Sequence, residues 1–171
     1  MEIVTTSVTN YDIHDIARVA RTYSVKKYFI IHPHDSQAKL VQDVIDYWRT
    51  GYGAQVHADR KEAFSVLELK KNIAEAKQAI MEREGKPPII VTTDARIYEN
   101  TISYKELREK LAVSELPYLI LFGTGWGIEK DTMKEFDYIL EPVYGAGDYN
   151  HLPVRSAVSI ILDRLCGEKW W

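Results

Sequence analysis

Two glycine-bearing loops in the C-terminal third carry the residues best suited to gripping a small polar ligand. The first is Gly123-Thr124-Gly125-Trp126-Gly127, directly after the apolar run PYLILF that begins at Pro117. Glycine lets backbone approach a ligand closely and presents unobstructed N–H groups. The plain alternative is a tight turn that needs left-handed backbone. Three alternating glycines exceed what such a turn needs, which favours the ligand. The spacing is GxGxG followed by Ile128, not the GxGxxG of dinucleotide folds, and no acid stands at the ribose-binding spacing. The second loop ends in Asn150-His151-Leu152-Pro153. Pro153 suits a first helical turn, where its missing N–H costs nothing, and Leu152 is a poor cap. An uncapped helix N-terminus can take a polar ligand group. The competing reading, that Asn150 satisfies nearby backbone, stands level with it.

Other candidates are weaker. Arg18 and Arg21 lie one helical turn apart and are suited to phosphate, but from composition alone they read as solvated surface arginines. His32-Pro33-His34-Asp35 follows a strand and has the makings of a metal site, but no matching His/Cys/Asp cluster occurs elsewhere, so no metal is expected. Cys166 reads as structural, and the Trp170-Trp171 tail as packing on the body or on a partner subunit. There is no Walker A, G-x-S-x-G or H-E-x-x-H motif.

These residues sit in a chain of 171 residues, long enough for one domain with a real core, so a single domain over residues 1–171 is expected. Its net charge of −3 disfavours nucleic acid globally without excluding a local basic patch. One cysteine forbids an intrachain disulfide, and the sequence carries neither a membrane-length apolar run nor a signal peptide, so a cytoplasmic protein is expected.

Helical spacing of Ile13, Ile16, Ala17, Ala20 and Tyr23 predicts a helix over 11–24, capped by Asn10 or Asp12. A strand ending at Ile31 follows. A second helix, capped by Ser36, carries the stripe Leu40, Val41, Val44, Ile45 and Trp48, and stops at Thr50-Gly51-Tyr52-Gly53. Residues 63–69 read as a strand, and 71–84 as a helix ended by Gly85 and Pro87-Pro88. IIVTT is a buried strand ending at Thr92-Thr93-Asp94. Ser103 and Glu106 form a capping box for a helix running to about Val113. Strand, glycine loop, short helix, strand, long loop and a last helix complete the chain. Val154, Ala157, Val158, Ile161, Leu162 and Leu165 make the stripe of that last helix. Continuous apolar strands alternating with helices predict an α/β fold with a mostly parallel sheet flanked by helices.

Three blocks in this order resemble the SPOUT, or α/β-knot, RNA methyltransferases: DIHDIARVARTYSVKKYFI, LILFGTGWGI and ILEPVYGAGDYNHLPVRSAVSIILDRL. Arg18 falls on the superfamily's N-terminal arginine and Tyr23-Ser24-Val25 on its aromatic-Gly-Val; the usual asparagine maps to Asp12. More narrowly, FGTGWG, DYNHL-VRSA and TSVTN-DIHDIAR resemble the predicted S-adenosylmethionine (SAM)-dependent RNA methyltransferases that occur with tRNA guanine-N1 methyltransferases. Members usually carry an apolar strand before the segment matching EIVTTSVTN, so one sheet strand is expected to be missing here, or the recorded start to be late.

The resemblance implies a deep trefoil knot over about 89–165, a homodimer, and SAM held bent in the knot loops. It implies methyl transfer to a tRNA or rRNA nucleotide. Thr92, Thr93, Leu121, Phe122, Gly123, Gly125, Trp126, Gly127, Leu140, Glu141, Pro142, Asn150, His151, Leu152, Ser156 and Ala157 would then bind the cofactor, with Ile139 walling the adenine and Asp94 completing the pocket. Arg18 would orient the target nucleotide or assist its deprotonation. Arg21, Lys26, Lys27 and Arg155, with Arg18, would meet RNA. The last helix becomes the segment drawn through the knot and part of the dimer interface. Two alternatives stay open: a non-catalytic SAM- or RNA-binding protein of this fold, and an NAD-dependent oxidoreductase, which the GxGxG spacing disfavours.

Overall fold

The structure is a computed structural model that describes residues 6–125, 127–128 and 130–168, the side chains of Lys130 and Asp131 excepted. Trp126 and the Trp170-Trp171 tail lie outside the described residues. The chain forms two compact units, residues 1–76 and 77–171.

The first unit contains α1 (Asn10–Thr22), β1 (Tyr28–Ile31), α2 (Asp35–Arg49), α3 (Tyr52–Val56), α4 (Ala58–Phe64) and β2 (Leu67–Lys70), and the chain then enters α5 (Ile73–Glu84). Helix α1 buries Ile13, Ile16, Ala17 and Ala20, as their spacing predicts. Its cap is Thr9, not Asn10 or Asp12: the Thr9 hydroxyl accepts from the Asp12 amide at 3.2 Å. Just beyond the helix, Ser24 holds φ 55°, the left-handed region that favours glycine, at the position where the resembled motif has one. Strands β1 and β2 pair in parallel, Tyr28 with Leu67 through Ile31 with Lys70. Ile13, Ala17, Ile30, Val41, Ile45, Phe64 and Leu67 form the core.

Three further expectations need correcting in this unit. Helix α2 starts at Asp35 with His34 at its cap, and no side chain caps it, so Ser36 is inside the helix. Leu40 is 52% exposed and falls outside the buried stripe. The strand expected over 63–69 exists only from Leu67, because Ala63 and Phe64 are the buried end of α4. Arg49 accounts for the turn between them. Its Nε donates to the Phe64 carbonyl at 2.8 Å and its Nη2 to those of Ser65 and Leu67, tying the end of α2 to the chain entering β2. Charge-assisted hydrogen bonds of this kind contribute about 1.5–3 kcal/mol each. Arg49→Ala is therefore expected to lower stability by about 2–4 kcal/mol in denaturant titration. A loss below about 0.5 kcal/mol would show that the turn holds without it.

The second unit contains β3 (Ile89–Thr93), β4 (Thr101–Ile102), α6 (Tyr104–Val113), β5 (Tyr118–Leu121), α7 (Lys130–Met133), β6 (Tyr138–Leu140) and α8 (Val154–Cys166). Gly85, at φ 69°, follows α5 as its spacing predicts. The Ser103 capping box is present: its hydroxyl accepts from the Glu106 amide, and the Glu106 carboxylate accepts from Ser103 N at 3.0 Å. Strand order is β4-β6-β3-β5, every pairing parallel. The last strand in sequence thus inserts between β3 and β4, which follow each other directly in the chain. The connection between them must cross β6. Val91, Ile102, Tyr104, Leu107, Leu140, Ile161 and Leu165 form the core. Helix α8 buries Val158, Ile161, Leu162 and Leu165, while Pro153, expected in its first turn, is its N-cap residue.

Candidate active site

Parallel strands deliver their carboxyl ends to one edge of the sheet, where the loops of α/β folds meet ligands. In the second unit Thr92 pairs with Leu121 of β5 and Ile139 of β6, and Thr93 with Leu140. The loops after β3, β5 and β6 therefore leave side by side. Thr93 Oγ1 donates to the Leu121 carbonyl at 3.1 Å, fixing one of these ends. Thr92 is fully buried, and among the described residues its hydroxyl has no hydrogen-bond partner. Such an orphan costs about 1–3 kcal/mol unless something meets it.

The loop after β5 is a cradle shaped by glycine. Gly125 and Gly127 have φ 59° and 82°, and Gly127 N donates to the Thr124 carbonyl at 3.1 Å. A Cβ on Gly123 would stand 2.8 Å from Gly127 Cα and 2.9 Å from Ile128 N. Each glycine thus has a backbone reason of its own. The number of glycines, on which the ligand reading first leaned, is explained by the turn. What supports a ligand is the turn's position at the strand ends.

Glu141 and Pro142 follow β6. The Glu141 carboxylate accepts from Tyr104 N at 2.7 Å and so serves the start of α6, while its amide donates to the Ile102 carbonyl at 2.9 Å. Both residues, with Tyr104, Arg108 and Arg164, line a cavity of about 500 Å³. Burial pushes the Tyr104 hydroxyl up to about 12, so it stays protonated, and the Arg164 guanidinium lies 4.7 Å over its ring. Further along, Asn150 Nδ2 donates to the Ala95 carbonyl at 2.7 Å. Asn150 does satisfy backbone, but backbone of the β3–β4 connection, joining two loops of the site. His151 is exposed and meets Tyr149 edge to face, Leu152 is 40% exposed, and Ser156 and Ala157 are half-buried in the first turns of α8, whose N-terminus has no side-chain cap.

Asp94 is otherwise engaged. Burial disfavours its charge, but hydrogen bonds from Arg96 outweigh that and hold its carboxyl below the usual range. Arg96 donates through its amide, Nε and Nη2, at 2.9, 2.8 and 3.0 Å. Asp94 is a staple of the β3–β4 connection.

The predicted RNA-facing residues of the first unit divide. Arg18 is exposed, and among the described residues no carboxylate pairs with it. Lys26 is also exposed. Arg21 is paired to Glu62 at 2.5 Å and Lys27 to Glu68 at 3.0 Å, so each would have to leave an acid to reach phosphate. Arg155, in α8, is half-buried. His32 is 4% exposed, its Nε2 lies 3.2 Å from the Thr6 carbonyl, and its Nδ1 accepts from His34 N at 3.2 Å. Both its nitrogens are thus occupied by backbone. Among the described residues no group of three His, Cys, Asp or Glu could hold a metal, and no helix is long and apolar enough to cross a membrane.

Arg18 borders a groove of about 600 Å³ that sequence reasoning missed, lined also by His14, Tyr47, Trp48 and Arg60. Trp48 was absorbed into a core stripe. The usable signal was the Tyr47-Trp48 pair, of which only Trp48 falls on the stripe set by Val41, Val44 and Ile45.

An orphaned hydroxyl at the end of β3, a glycine cradle beside it and an uncapped helix N-terminus offer donors and close backbone approach to a ligand with a nucleoside and an amino acid part. The second unit therefore fits SAM.

Comparison with known proteins agrees. The SAM-dependent RNA methyltransferase family profile matches residues 1–167. The chain is 47% identical over 164 residues to an uncharacterised protein of Aquifex aeolicus, covering 96% of this chain and 80% of that one. It is 36% identical over 165 residues to a tRNA (guanine-N(1)-)-methyltransferase of Oleidesulfovibrio alaskensis, covering 96% of this chain but 38% of that enzyme. Among solved structures, a probable methylase family protein from Haemophilus influenzae superposes with a TM-score of 0.63 at 18% identity, covering 90% of this chain and 57% of that one. The SpoU methyltransferase AviRb from Streptomyces viridochromogenes, solved with AdoMet, gives 0.60 at 17% identity, covering 94% and 54%. The mixed α/β fold with parallel sheets is thus shared with these methyltransferase structures, and the chain belongs to the SAM-dependent RNA methyltransferase family.

Proposed function

We propose that this chain methylates a nucleotide of tRNA or rRNA, acting as a homodimer whose second unit is a trefoil knot. The observation that carries the reading is the meeting of three parallel strand ends around the unpartnered Thr92 hydroxyl, in a chain matched by the family along nearly its whole length. Insertion of β6 between β3 and β4, beneath a connection held to the following loop by Asn150, is the topology that threading requires. Exposed Tyr144, Tyr149 and Leu152 beside α8 suit burial against a second copy.

Bound SAM supplies an electrophilic methyl group on a cationic sulfonium. Main-chain groups of Leu121, Phe122, Gly123, Gly125 and Gly127, and those from Glu141 and Pro142 to His151 and Leu152, hydrogen-bond its nucleoside. Leu121, Ile139, Leu140 and Leu152 exclude water. Thr92, Thr93, Ser156 and Ala157 complete the seat. The remaining work is positioning, which alone supplies several kcal/mol in well-oriented reactions. Arg18 orients the target nucleotide and favours the deprotonated form of its attacking atom. Arg21, Lys26, Lys27 and Arg155 hold phosphates.

Titration calorimetry with S-adenosylhomocysteine tests the cofactor seat. Binding in the micromolar range is expected, and absence of heat from a folded, ligand-free sample would contradict it.

A further inference from the structure

The groove in the first unit is built like a seat for a flat ring, and the cofactor assignments make no use of it. Its floor is the Arg60–Trp48 stack, with the guanidinium 4.7 Å over the indole. His14 meets Trp48 edge-on at 5.5 Å, and Phe64 lies tilted against it at 6.2 Å. Tyr47, 45% exposed, meets Trp48 edge-on at 5.0 Å. Both rings rest on buried Gly53, where a Cβ would stand 2.6 Å from each of them. Tyr11, 71% exposed, stands at the entrance with Arg18. Among the described residues the buried Arg60 Nε has no hydrogen-bond partner, and Arg60 Nη1 lies 3.4 Å from His14 Nδ1. Burial and the neighbouring Arg60 charge lower the pKa of His14, so its ring is neutral near pH 7. Asp15 and Asp43 also border the groove, and carboxylates there suit amino or hydroxyl donors of a ligand.

We propose that this groove seats one unpaired nucleobase of the RNA, stacked among Tyr11, Tyr47 and Arg60, with Arg18 at the phosphate. The inference rests on the RNA methyltransferase reading and assigns the first unit a base-gripping role within it. An aromatic and guanidinium surface suits any base, because every base has a π-face. A volume of about 600 Å³ is ample for a nucleotide. Arg18, exposed at the groove, meets the anion that always accompanies a base in RNA.

The test is binding of unfractionated bacterial tRNA to the full chain at fixed ionic strength, read by filter binding, with S-adenosylhomocysteine calorimetry run on the same samples. Tyr11→Ala, Tyr47→Ala and Arg60→Gln are each expected to weaken tRNA binding about tenfold. Cofactor heats should remain as in the parent chain, which certifies folding. Parent-like tRNA affinity in all three variants overturns the proposal, as does a parent chain that binds no tRNA. A change in oligomeric mass at unaltered tRNA affinity also overturns it and gives the groove to a second copy. A chain that binds no S-adenosylhomocysteine, yet loses tRNA affinity in these variants, keeps the base seat and sinks the methyltransferase reading.

Discussion

Gly123→Ala lowers the affinity for S-adenosylhomocysteine by about a hundredfold and leaves the chain folded. The added methyl would meet backbone, not a yielding side chain: Gly127 Cα at 2.8 Å and Gly127 C and Ile128 N at 2.9 Å. The loop relieves this only by opening, because Gly123 is two residues beyond Leu121, which the sheet holds through its pairing with Thr92. Overpacking of this kind costs about 1–3 kcal/mol. An opened cradle also loses its donors to the ligand, which puts the effect near the top of that range, about a hundredfold in affinity. Far-ultraviolet circular dichroism certifies the fold and calorimetry reads the binding. Parent-like affinity would reduce the glycine loop to a turn.

Arg18→Ala does the reverse. Cofactor affinity stays within about twofold of the parent, while single-turnover methyl transfer falls by about 10²–10³, the usual cost of removing one electrostatic partner of a transition state. Arg18 stands in the first unit on the exposed face of α1, whereas every residue assigned to the cofactor is in the second. Lysine restores little, since a point charge lacks the planar fork of guanidinium. Measuring both quantities on one preparation separates the roles. Transfer at the parent rate would remove Arg18 from the chemistry, and weakened cofactor binding would make it a binding residue instead.

Much of the second unit was legible because its signals are local. The α8 stripe, the Ser103 capping box, Gly85 and the apolar β3 and β5 each occupy one short window of sequence. In the first unit, Ala63 and Phe64 misled because apolar residues before a strand look like strand. Their helix end is tied by Arg49, which lies fourteen or more residues earlier in the sequence and gathers the Phe64 and Ser65 carbonyls. Strand β4, two residues long, carries no period to read. The insertion of β6 beside it is a non-local pairing that no local pattern encodes, and ordinary connection rules argue against it. The site divides in the same way. Glycine loops and Asn150 were visible, but the partner of Asn150, 55 residues away, was not. The groove at Trp48 was hidden because one residue served both a core stripe and a ring seat.

The most direct measurement is mass spectrometry of nucleosides from RNA that lacked the protein in vivo and was then incubated with the chain and SAM carrying a CD3 group. The account predicts one nucleoside of tRNA or rRNA heavier by that group, absent with Arg18→Ala. A chain that binds S-adenosylhomocysteine and tRNA, yet labels no nucleoside in any RNA fraction, would contradict it.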